Sequence, residues 1–499
     1  MNWNAWIPLL VVASSMLPGL IIFNLAEHRI RLRTALNLIG ALVKLLLVGW
    51  MLWGVYNEHI FETRLALLPN LDIVLRAGPW SLFFVTLSTV LWLITTIYAI
   101  GYLEGSPHRS RFFGFFSVCV SATVGVALSG NLITFLLFYE LLTLSTYPLV
   151  VHRGTEVARR AGQVYLNYTI FGGALLLLGT VWLYTLAGTL EFTPQGFLQT
   201  LDEAHHPALI AIFVLLVSGL GVKAALVPFH GWLPQAMVAP APVSALLHAV
   251  AVVKAGVFGI VRVVYDIYGV DFASDLGVTD PLAWLAAITI IYGSLRALYQ
   301  DDLKRMLAFS TVSQASYITL GVAIASPIAT IGGAVHLLHQ GLMKITLFFC
   351  AGNLAETLGI HMVSEMNGVG RRMPWTMAAF TIGAFGMIGV PPIAGFVSKW
   401  YLGLGALEIG KEWVVIVLAG SSLLNAAYFL PILHRVWFQE PTHPWPEERS
   451  FGNQETAWAL LIPPILTALM ALGAGVFATG SFSPLVWAQL IAQREFHQP

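Results

Sequence analysis

The sequence predicts an all-α polytopic membrane protein with about fourteen transmembrane helices, on three observations. Of the 499 residues, 57% are hydrophobic and 10% are charged, whereas a soluble chain carries about 25% charged residues. Apolar runs of about 20 residues recur from end to end, and a helix of that length crosses roughly 30 Å of hydrocarbon. The runs are too long and too uniformly apolar for the alternating strands, about 10 residues long, of an outer-membrane barrel.

The predicted spans, numbered in chain order, cover most of the chain. They run over residues 3–24, 35–56, 78–102, 112–130, 132–151, 164–187, 207–233, 243–268, 281–299, 303–325, 327–352, 374–404, 412–436 and 457–479. Proline lacks a backbone donor and clashes with the preceding turn, so we expect helix breaks at Pro228 in the seventh span and at Pro391 and Pro392 in the twelfth. No Lys or Arg precedes the first run, so it is predicted to be a retained helix rather than a signal peptide.

Basic residues in the loops predict the orientation. The loops after odd-numbered spans contain fourteen of them: Arg29, Arg31, Arg33, Arg109, Arg111, Arg153, Arg159, Arg160, Lys304, Arg305, Arg371, Arg372, Arg435 and Arg449. The loops after even-numbered spans and the tail contain four: Arg64, Arg76, Lys411 and Arg494. Because cytoplasmic loops are enriched in Lys and Arg, we expect a protein of the cell inner (cytoplasmic) membrane with both termini on the outer side.

Several function classes find no support in the sequence. The formal net charge is zero, so nothing indicates nucleic-acid binding. The loops near 57–77, 188–206 and 353–373 are too short to fold as soluble domains, and the sequence lacks a Gly-rich nucleotide motif, a Cys cluster and paired carboxylates. Cys119 and Cys350 lie in predicted spans, where apolar packing is the simplest interpretation. We therefore expect neither an enzyme nor a bound cofactor or metal.

Ionisable residues inside the spans point to charge transport. Seven basic residues lie within spans: Lys44, Lys223, Lys254, Arg262, Arg296, Lys344 and Lys399. Glu140 is the one carboxylate interpreted as lying deep in a span. Each charge at membrane depth costs roughly 2.5–3.5 kcal/mol. Such a set makes a poor structural core but suits a relay in which only some members are charged at once.

Glu140 and Lys223 are predicted to form the switch of this relay. An ion pair would hold both side chains charged, whereas separation would let burial favour the neutral lysine, which then releases its proton. Lys223 precedes Pro228 by five residues, and unsatisfied backbone at membrane depth is tolerated where it lines a wet cavity. The alternative is a static ion pair that joins two helices.

Histidines and further lysines are also candidates for the relay of ionisable residues. His248 and Lys254 share the eighth span, with Ser244 one turn before His248; histidine titrates near neutral pH, although a lone His is often a packing residue. In the eleventh span, His336, His339, Gln340 and Lys344 share one broad helical face. Zinc binding is a weak alternative there because no Cys or carboxylate lies nearby.

Lys399 follows the double proline by about two turns and is predicted to be the terminal titratable group, with snorkelling to the membrane surface as the alternative. Arg262 and Arg296 are interpreted as anchors of helix ends, and Lys44 is central in its span without an evident partner.

A weak similarity between two short segments of the chain points to an inverted repeat. Val227-Pro228 is followed by Gly231-Trp232, and Val390-Pro391 is followed by Gly395-Phe396. The two interrupted spans lie five apart, an odd number, so the two units would point in opposite directions across the membrane. Interrupted helices in corresponding positions indicate a transport path between repeats, with chance as the alternative.

Four motifs carry a resemblance to a known family: FYELLTLSTYPLV, GVKAALVPFHGWLPQAMVAPAPVSALLHAVAVVKAG, DDLKRMLAFSTVSQ and GVPPIAGFVSKW. The chain resembles the antiporter-like subunits of respiratory complex I, membrane-bound hydrogenases and Mrp-type cation/proton antiporters, and within them most resembles the D-type subunit of the Mrp antiporters. The resemblance implies two inverted five-helix repeats (spans 4–8 and 9–13), each with a broken helix. It thus implies an N-terminal three-helix segment (1–103), a first repeat (112–268), a second repeat (281–436) and a C-terminal helix with tail (457–499).

The resemblance also implies roles. Glu140 and Lys223 match the family's Glu–Lys switch, Lys254 its bridging lysine and Lys399 its distal lysine, with His248, His336 and His339 in a central hydrophilic axis. The expected function is proton translocation, through two half-channels joined by this axis, within a hetero-oligomeric Mrp-type Na⁺/H⁺ antiporter. The alternatives are a pumping subunit of an NADH:quinone oxidoreductase or hydrogenase, and a structural scaffold whose charges only fix helix packing.

Overall fold

The computed structural model describes residues 3–69, 71–441, 444–452 and 454–496. In its first half the helices are α1 (Ile7–Phe23), α2 (Ile30–Tyr56), α3 (Pro79–Tyr102), α4 (Arg109–Leu128), α5 (Leu132–Val150), α6 (Glu156–Ala187), α7 (His206–Ala224), α8 (Trp232–Gln235), α9 (Ala241–Ala249) and α10 (Val252–Arg262). In its second half they are α11 (Val270–Asp275), α12 (Thr279–Leu298), α13 (Leu303–Ala323), α14 (Pro327–Leu358), α15 (Val369–Arg372), α16 (Pro374–Ile388), α17 (Ala394–Glu408), α18 (Trp413–Phe438), α19 (Trp458–Val476) and α20 (Pro484–Glu495).

The helices confirm the predicted all-α polytopic membrane protein. Twelve segments of the described residues are long and apolar enough to cross a membrane, with Glu203–Val238 and Ala241–Tyr268 counted as one segment each. The shorter apolar helices α1 and α16 coincide with the first predicted span and the first half of the twelfth. Residues 1, 2 and 497–499 of the predicted terminal segments lie outside the described residues.

The seventh span is broken at the predicted proline. Helix α7 ends at Ala224, and Ala225 adopts a left-handed backbone with φ of 58°. Short helical turns resume beyond Pro228. The indole Nε1 of Trp232 donates to the Val222 carbonyl at 2.7 Å, so a side chain binds a carbonyl in the last turn before the break.

The twelfth span is broken at the double proline, also as predicted. Helix α16 ends at Ile388, Gly389 follows with φ of 95°, and α17 begins at Ala394. Neither proline can donate a backbone hydrogen bond, so the last carbonyls of α16 need other partners. The side chains that supply them belong to the site described below.

The eighth span is also interrupted, which the sequence did not predict. Helix α9 ends at Ala249 and α10 begins at Val252, with Ala251 at φ −107° and ψ −90°. The Ala251 amide reaches back to the Leu246 carbonyl at 2.9 Å, one residue further than a regular α-helix allows. A π-helical turn, Val263–Tyr268, then closes the span. His248 and Lys254, which share the eighth predicted span, therefore lie on two separate helices.

The loop between the second and third spans folds as a hairpin that the sequence analysis missed. Strands β1 (Phe61–Leu68) and β2 (Leu71–Ala77) pair antiparallel. On the hairpin, Arg64 donates to Glu191 Oε1 at 2.6 Å and to Glu62, and Arg76 donates to both glutamates. The hydrogen bond from Arg64 is the main cause that lowers the pKa of Glu191. The hairpin is thereby joined to the loop after α6.

The most deeply buried segments are Ala241–Tyr268, α13 and α14, and the first and last of them carry His248, Lys254, His336, His339 and Lys344. The apolar parts of Ala241–Tyr268 and α13 are 100% buried and that of α14 is 94% buried, whereas those of α2, α6 and α18 are 33% buried. Helix α20 packs on α14 and α3, and Trp487 Nε1 donates to the Pro79 carbonyl at 2.9 Å. The polar residues of α9, α10, α13 and α14 thus lie in the centre of the protein.

Candidate functional site

Every ionisable residue predicted for the site lies on a helix, and most of these side chains are fully buried. Glu140 is on α5, Lys223 on α7, His248 on α9 and Lys254 on α10; His336, His339 and Lys344 are on α14 and Lys399 is on α17. The side chains of Lys223, Lys254, Lys344 and the three histidines are 0% exposed. Glu140 and Lys399 are half-buried. The three fully buried lysines therefore do not extend to the surface of the protein.

Lys223 is held against helix α5. Its ammonium donates to the Tyr139 carbonyl and lies 3.3 Å from the centroid of the Tyr139 ring. Aromatic faces attract cations, most strongly where water is excluded. The carbonyl and the ring together give a buried ammonium two favourable contacts without a carboxylate.

Glu140 follows Tyr139 in the chain but does not touch Lys223. Among the described residues, no ion pair within 4.0 Å joins the two side chains, although their charges are close enough to interact. Glu140 Oε1 is buried without a hydrogen-bond partner in the part of the chain that the structure describes. The carboxylate packs on Gly173 of α6, where a side chain would have to displace it. The structure thus presents the separated arrangement of the two groups rather than a static ion pair.

Lys254 bridges the first half of the protein to α14. Its ammonium donates to the Leu337 carbonyl at 2.8 Å, next to His336. Two residues along α10, Gly256 lies so close to α7 that a Cβ there would come within 2.7 Å of the Lys223 carbonyl carbon. Helix α10 therefore reaches both the Lys223 segment and the histidine helix.

His336 connects α14 to the helix that carries Lys399. Its Nδ1 lies 2.7 Å from the Ser398 hydroxyl, the residue before Lys399. The Tyr317 ring lies between the two, with its centroid 5.1 Å from the His336 ring and 5.4 Å from the Lys399 ammonium. The two side chains thus share one aromatic neighbour.

Lys399 occupies the carbonyls that the double proline leaves free. Its ammonium donates to the carbonyls of Met387 at 3.0 Å and Ile388 at 2.8 Å and to the Ser422 hydroxyl at 2.9 Å. Because an ammonium has three donors, the three contacts use its full capacity.

Several central side chains have unfilled hydrogen-bonding capacity within the described residues. Both ring nitrogens of His248 and His339, and both amide atoms of Gln314 and Gln340, are buried without a protein partner. No group of three or more His, Cys, Asp or Glu side chains in this part of the chain could hold a metal ion. Buried polar groups are normally hydrogen-bonded, so these four side chains form a polar interior that protein atoms alone do not satisfy.

The structure adds three residues that sequence reasoning missed. Ser310 Oγ accepts from the Lys344 ammonium at 2.6 Å and lies 2.8 Å from the Tyr428 hydroxyl. That hydroxyl lies 2.5 Å from Asn425 Oδ1, and Asn425 donates to the Met387 carbonyl, which also accepts from Lys399. An unbroken chain of polar contacts therefore joins Lys344 to Lys399. Ser310 lies in the motif DDLKRMLAFSTVSQ, although no role was predicted for it, whereas neutral Asn425 and Tyr428 lie in none of the four motifs.

A second buried carboxylate lies at the end of the eighth span, so Glu140 is not the only one. Asp266 lies in the π-helical turn, is 1% exposed and pairs at 2.9 Å with Arg262, the last residue of α10. Glu495 of α20 is buried close enough to both for their charges to interact. Arg262 thus belongs to an ionic cluster between this turn and the tail helix.

Comparison with known proteins places the fold and the family. The family described as "NADH:quinone oxidoreductase/Mrp antiporter, TM" matches residues 129–425. The chain is 35% identical over 432 residues to the N subunit of the NADH-quinone oxidoreductase of Desulforudis audaxviator, covering 85% of each chain. It is 29% identical over 448 residues to the D subunit of the Na⁺/H⁺ antiporter of Bacillus subtilis, covering 88% of each.

Solved structures share the whole fold. A chain of the Mrp complex from a Dietzia species superposes with a TM-score of 0.88 at 22% identity, covering 100% of this chain and 98% of that one. A chain of the membrane-bound sulfane sulfur reductase, an archaeal respiratory membrane complex, superposes with a TM-score of 0.85 at 25% identity, covering 98% and 97%. With its family match over more than half its length, this chain belongs to the NADH:quinone oxidoreductase/Mrp antiporter family of transmembrane subunits.

Proposed function

We propose that this chain is the D-type, proton-translocating component of a multi-subunit Mrp-type Na⁺/H⁺ antiporter. One observation carries the proposal: four lysines, three of them fully buried, lie on helices that lead from α7 at one break, through α10 and α14, to α17 at the other. In the described part of the chain they donate to carbonyls and hydroxyls and pair with no carboxylate. A scaffold could join its helices with neutral polar groups, which cost far less to bury than lysine. Lysines in this arrangement suit the storage and transfer of protons.

The proposed path runs sideways through the protein. Protons enter one half-channel, reach Lys223, pass to Lys254 and the His336 region, and leave by Lys399; the same residues serve the reverse direction. Movement of Glu140 toward Lys223 would hold the lysine protonated, and movement away would favour release. Lys344 joins the distal end through Ser310, Tyr428 and Asn425.

The unsatisfied polar interior supports the central part of the path. His248, His339, Gln314 and Gln340 each present buried atoms that lack a protein partner within the described residues. Buried waters typically make about three hydrogen bonds to such atoms. Water held by these side chains would connect Lys254 to Lys344 without any protein group having to span the distance.

The partial exposure of Glu140 supports the presence of partner subunits. It is half-buried on α5, and Leu137 and Leu144 on the same helix are 44% and 63% exposed. A carboxylate at a lipid-facing surface is costly, so we infer that another subunit of the complex covers this face. Sodium would pass through another subunit, because a hard cation requires several oxygen ligands and the path offers few carboxylates.

We also propose an orientation of the chain in the membrane and its division into two repeats. Both termini lie on the outer side of the cell inner membrane, as the basic loops predict. The two inverted repeats, 112–268 and 281–436, each contribute one broken helix and one half-channel, flanked by the N-terminal segment 1–103 and the C-terminal segment 457–499. Accessibility of single cysteines placed in the loops would test the orientation.

The second candidate is a proton-pumping subunit of a redox-driven complex. It is favoured by the 35% identity to a component of an NADH-quinone oxidoreductase. Purification of the native complex distinguishes the two. Copurifying subunits without flavin or iron–sulfur centres, and Na⁺-dependent proton movement in vesicles, are expected for the antiporter; copurifying redox subunits would contradict it.

The polar chain between Lys344 and Lys399 gives a sharp test of the path. Tyr428→Phe removes one hydroxyl, and we expect proton movement to slow by roughly tenfold, because a positioned proton carrier is lost. Tyr268→Phe is the matched control, since it removes a buried hydroxyl that donates to the Leu209 carbonyl away from this chain. Equal rates for the two variants in vesicles would argue against a role for Tyr428.

A further inference from the structure

A buried lysine of the N-terminal helices lies outside the path described above. Lys44 of α2 is 0% exposed. Its ammonium lies 2.5 Å from the Ser15 hydroxyl of α1 and 4.6 Å from the Trp92 ring centroid of α3. Among the described residues no carboxylate pairs with it, and no charged or titratable side chain faces it from α1, α3 or α4.

Polar side chains connect Lys44 to one end of these helices. On α2, Arg33, Asn37 and Lys44 are spaced by four and seven residues and so share a face; on α4, Ser110, Ser117 and Ser121 do the same. The contacts between them are Arg33 Nη1 to Ser110 Oγ at 2.9 Å, Ser117 Oγ to Asn37 Oδ1 at 3.0 Å, Ser121 Oγ to Ser15 Oγ at 2.5 Å and Lys44 Nζ to Ser15 Oγ at 2.5 Å. We call this set the N-terminal polar ladder.

The outer end of the ladder opens at a loop that is predicted to be cytoplasmic. Glu27 is half-exposed there, lies 3.7 Å from the Arg33 guanidinium, and accepts hydrogen bonds from the backbone amides of Arg109 and Ser110. The ladder therefore begins at a carboxylate that contacts water. From there the contacts at Ser110, Ser117 and Ser121 follow one face of α4 toward Lys44, with two turns between the first two serines and one turn between the last two.

The inner end faces a helix that continues toward the protein centre. Helix α3 carries four buried hydroxyls without a protein partner in the described residues: Thr86, Ser88, Thr89 and Thr96. The same helix contacts α14, since Tyr98 donates to the Phe349 carbonyl at 3.0 Å and Leu87 packs on Gly341. Gln340, the neighbour of Gly341, is one of the unsatisfied central side chains.

Helix packing alone does not account for this arrangement. Serine and asparagine suffice to join helices in a membrane, whereas a lysine without a carboxylate adds a burial cost that a neutral side chain would avoid. Lys44 lies at the inner end of the N-terminal polar ladder, whose outer end is exposed to water at Glu27. Beyond Lys44, the unsatisfied hydroxyls of α3 lead toward the central axis. The position of Lys44 is that of a proton carrier rather than a packing residue.

We propose that Lys44 is the terminal carrier of a third proton path, which leads from Glu27 along the N-terminal polar ladder and through α3 to the central axis. The unprotonated Lys44 amine takes a proton from water along the ladder and becomes an ammonium; it then gives that proton to water or a hydroxyl beside α3 and returns to the amine. No covalent bond other than N–H forms or breaks. This path rests on the proposed function, because it supplies the same axis.

Four variants in the assembled complex test the path by the rate of proton movement in vesicles. Lys44→Met, which removes the proton carrier, is expected to slow it by roughly tenfold. Lys44→Arg is expected to fail equally, because arginine keeps the charge but does not release a proton. Ser15→Ala removes the hydroxyl at Lys44 and is expected to slow transport as well. Its control, Ser14→Ala, removes a hydroxyl that donates to Val11 of its own helix and is expected to leave the rate unchanged.

The outcomes separate this proposal from the proposed function. If the parent complex moves no protons, the proposed function fails; if the parent is active and Lys44→Met or Lys44→Arg matches it, only the third path fails. An independent pair of variants covers poor assembly: Asn37→Leu removes the amide between the Arg33 carbonyl and Ser117 and should slow proton movement, whereas Asn24→Leu removes an exposed amide that donates to its own helix and should not. Equal rates for these two variants, at amounts of complex and thermal stability matched to the parent, would overturn the path.

Discussion

Replacement of Lys223 by methionine is expected to lower the rate of proton-coupled ion exchange by roughly 100-fold, because a positioned proton donor and acceptor is lost. Methionine has a similar length and is apolar, so the packing of α7 against α5 should persist while the ammonium at the Tyr139 carbonyl disappears. The measurement is the quenching and recovery of a pH-sensitive dye in vesicles that contain the assembled complex, after the amount of complex has been matched to the parent.

Lys223→Arg separates transfer from structure. Arginine keeps a charge and a long side chain, so it would preserve a structural contact to the carbonyl and aromatic ring, but it stays protonated in proteins. We expect this variant to assemble and to exchange as poorly as the methionine variant. Full activity with arginine would show that Lys223 only holds α5 and α7 together, as the scaffold hypothesis requires.

Gly173→Ala is expected to impair exchange by roughly tenfold to 100-fold through Glu140 alone. A Cβ at position 173 would lie 2.9 Å from the carboxyl carbon of Glu140 and 3.3 Å from its Oε2. The flexible carboxylate can move away while the helices stay in place, and displacement of a reacting group by about 1 Å can cost about 100-fold in rate. Exchange in vesicles, measured beside the thermal stability of the complex, detects the effect.

Gly179→Ala on the same helix is the matched control. Its new Cβ would meet the side-chain end of Leu216, with the closest atom at 2.8 Å, and no ionisable group. We expect near-parent exchange and a small loss of stability. If both alanine variants lost activity and stability together, tight packing of α6 would explain the result and the position of Glu140 would not.

Local signals account for what could be predicted from the sequence. Prolines in apolar runs located both breaks at Pro228 and at Pro391-Pro392, because a missing donor interrupts a helix wherever it occurs. The buried lysines stood out because charge is rare at membrane depth. These features depend on the residue and its immediate neighbours alone.

The parts that were missed depend on contacts between distant elements. The interruption after Ala249 contains neither proline nor glycine, so only tertiary packing can account for it. Asn425 and Tyr428 are neutral residues in an apolar helix, and their place in a polar chain is visible only once α13 and α16 lie beside them. The separation of Glu140 from Lys223 is a distance between two helices, about which residue types carry no information.

The hydrogen bonds that Lys399 makes at the end of α16 depend on whether its side chain is protonated. The protonated side chain donates its three N–H groups to Met387, Ile388 and Ser422, whereas the neutral amine has only two N–H groups. When its proton departs, the two remaining N–H groups can still reach both carbonyls, and the Ser422 hydroxyl must turn to donate to the nitrogen lone pair. Each loss and gain of the proton would thus reverse the direction of one hydroxyl while the contacts to Met387 and Ile388 persist, so that the charge state of a single nitrogen is recorded in a hydrogen-bond direction on the neighbouring helix α18.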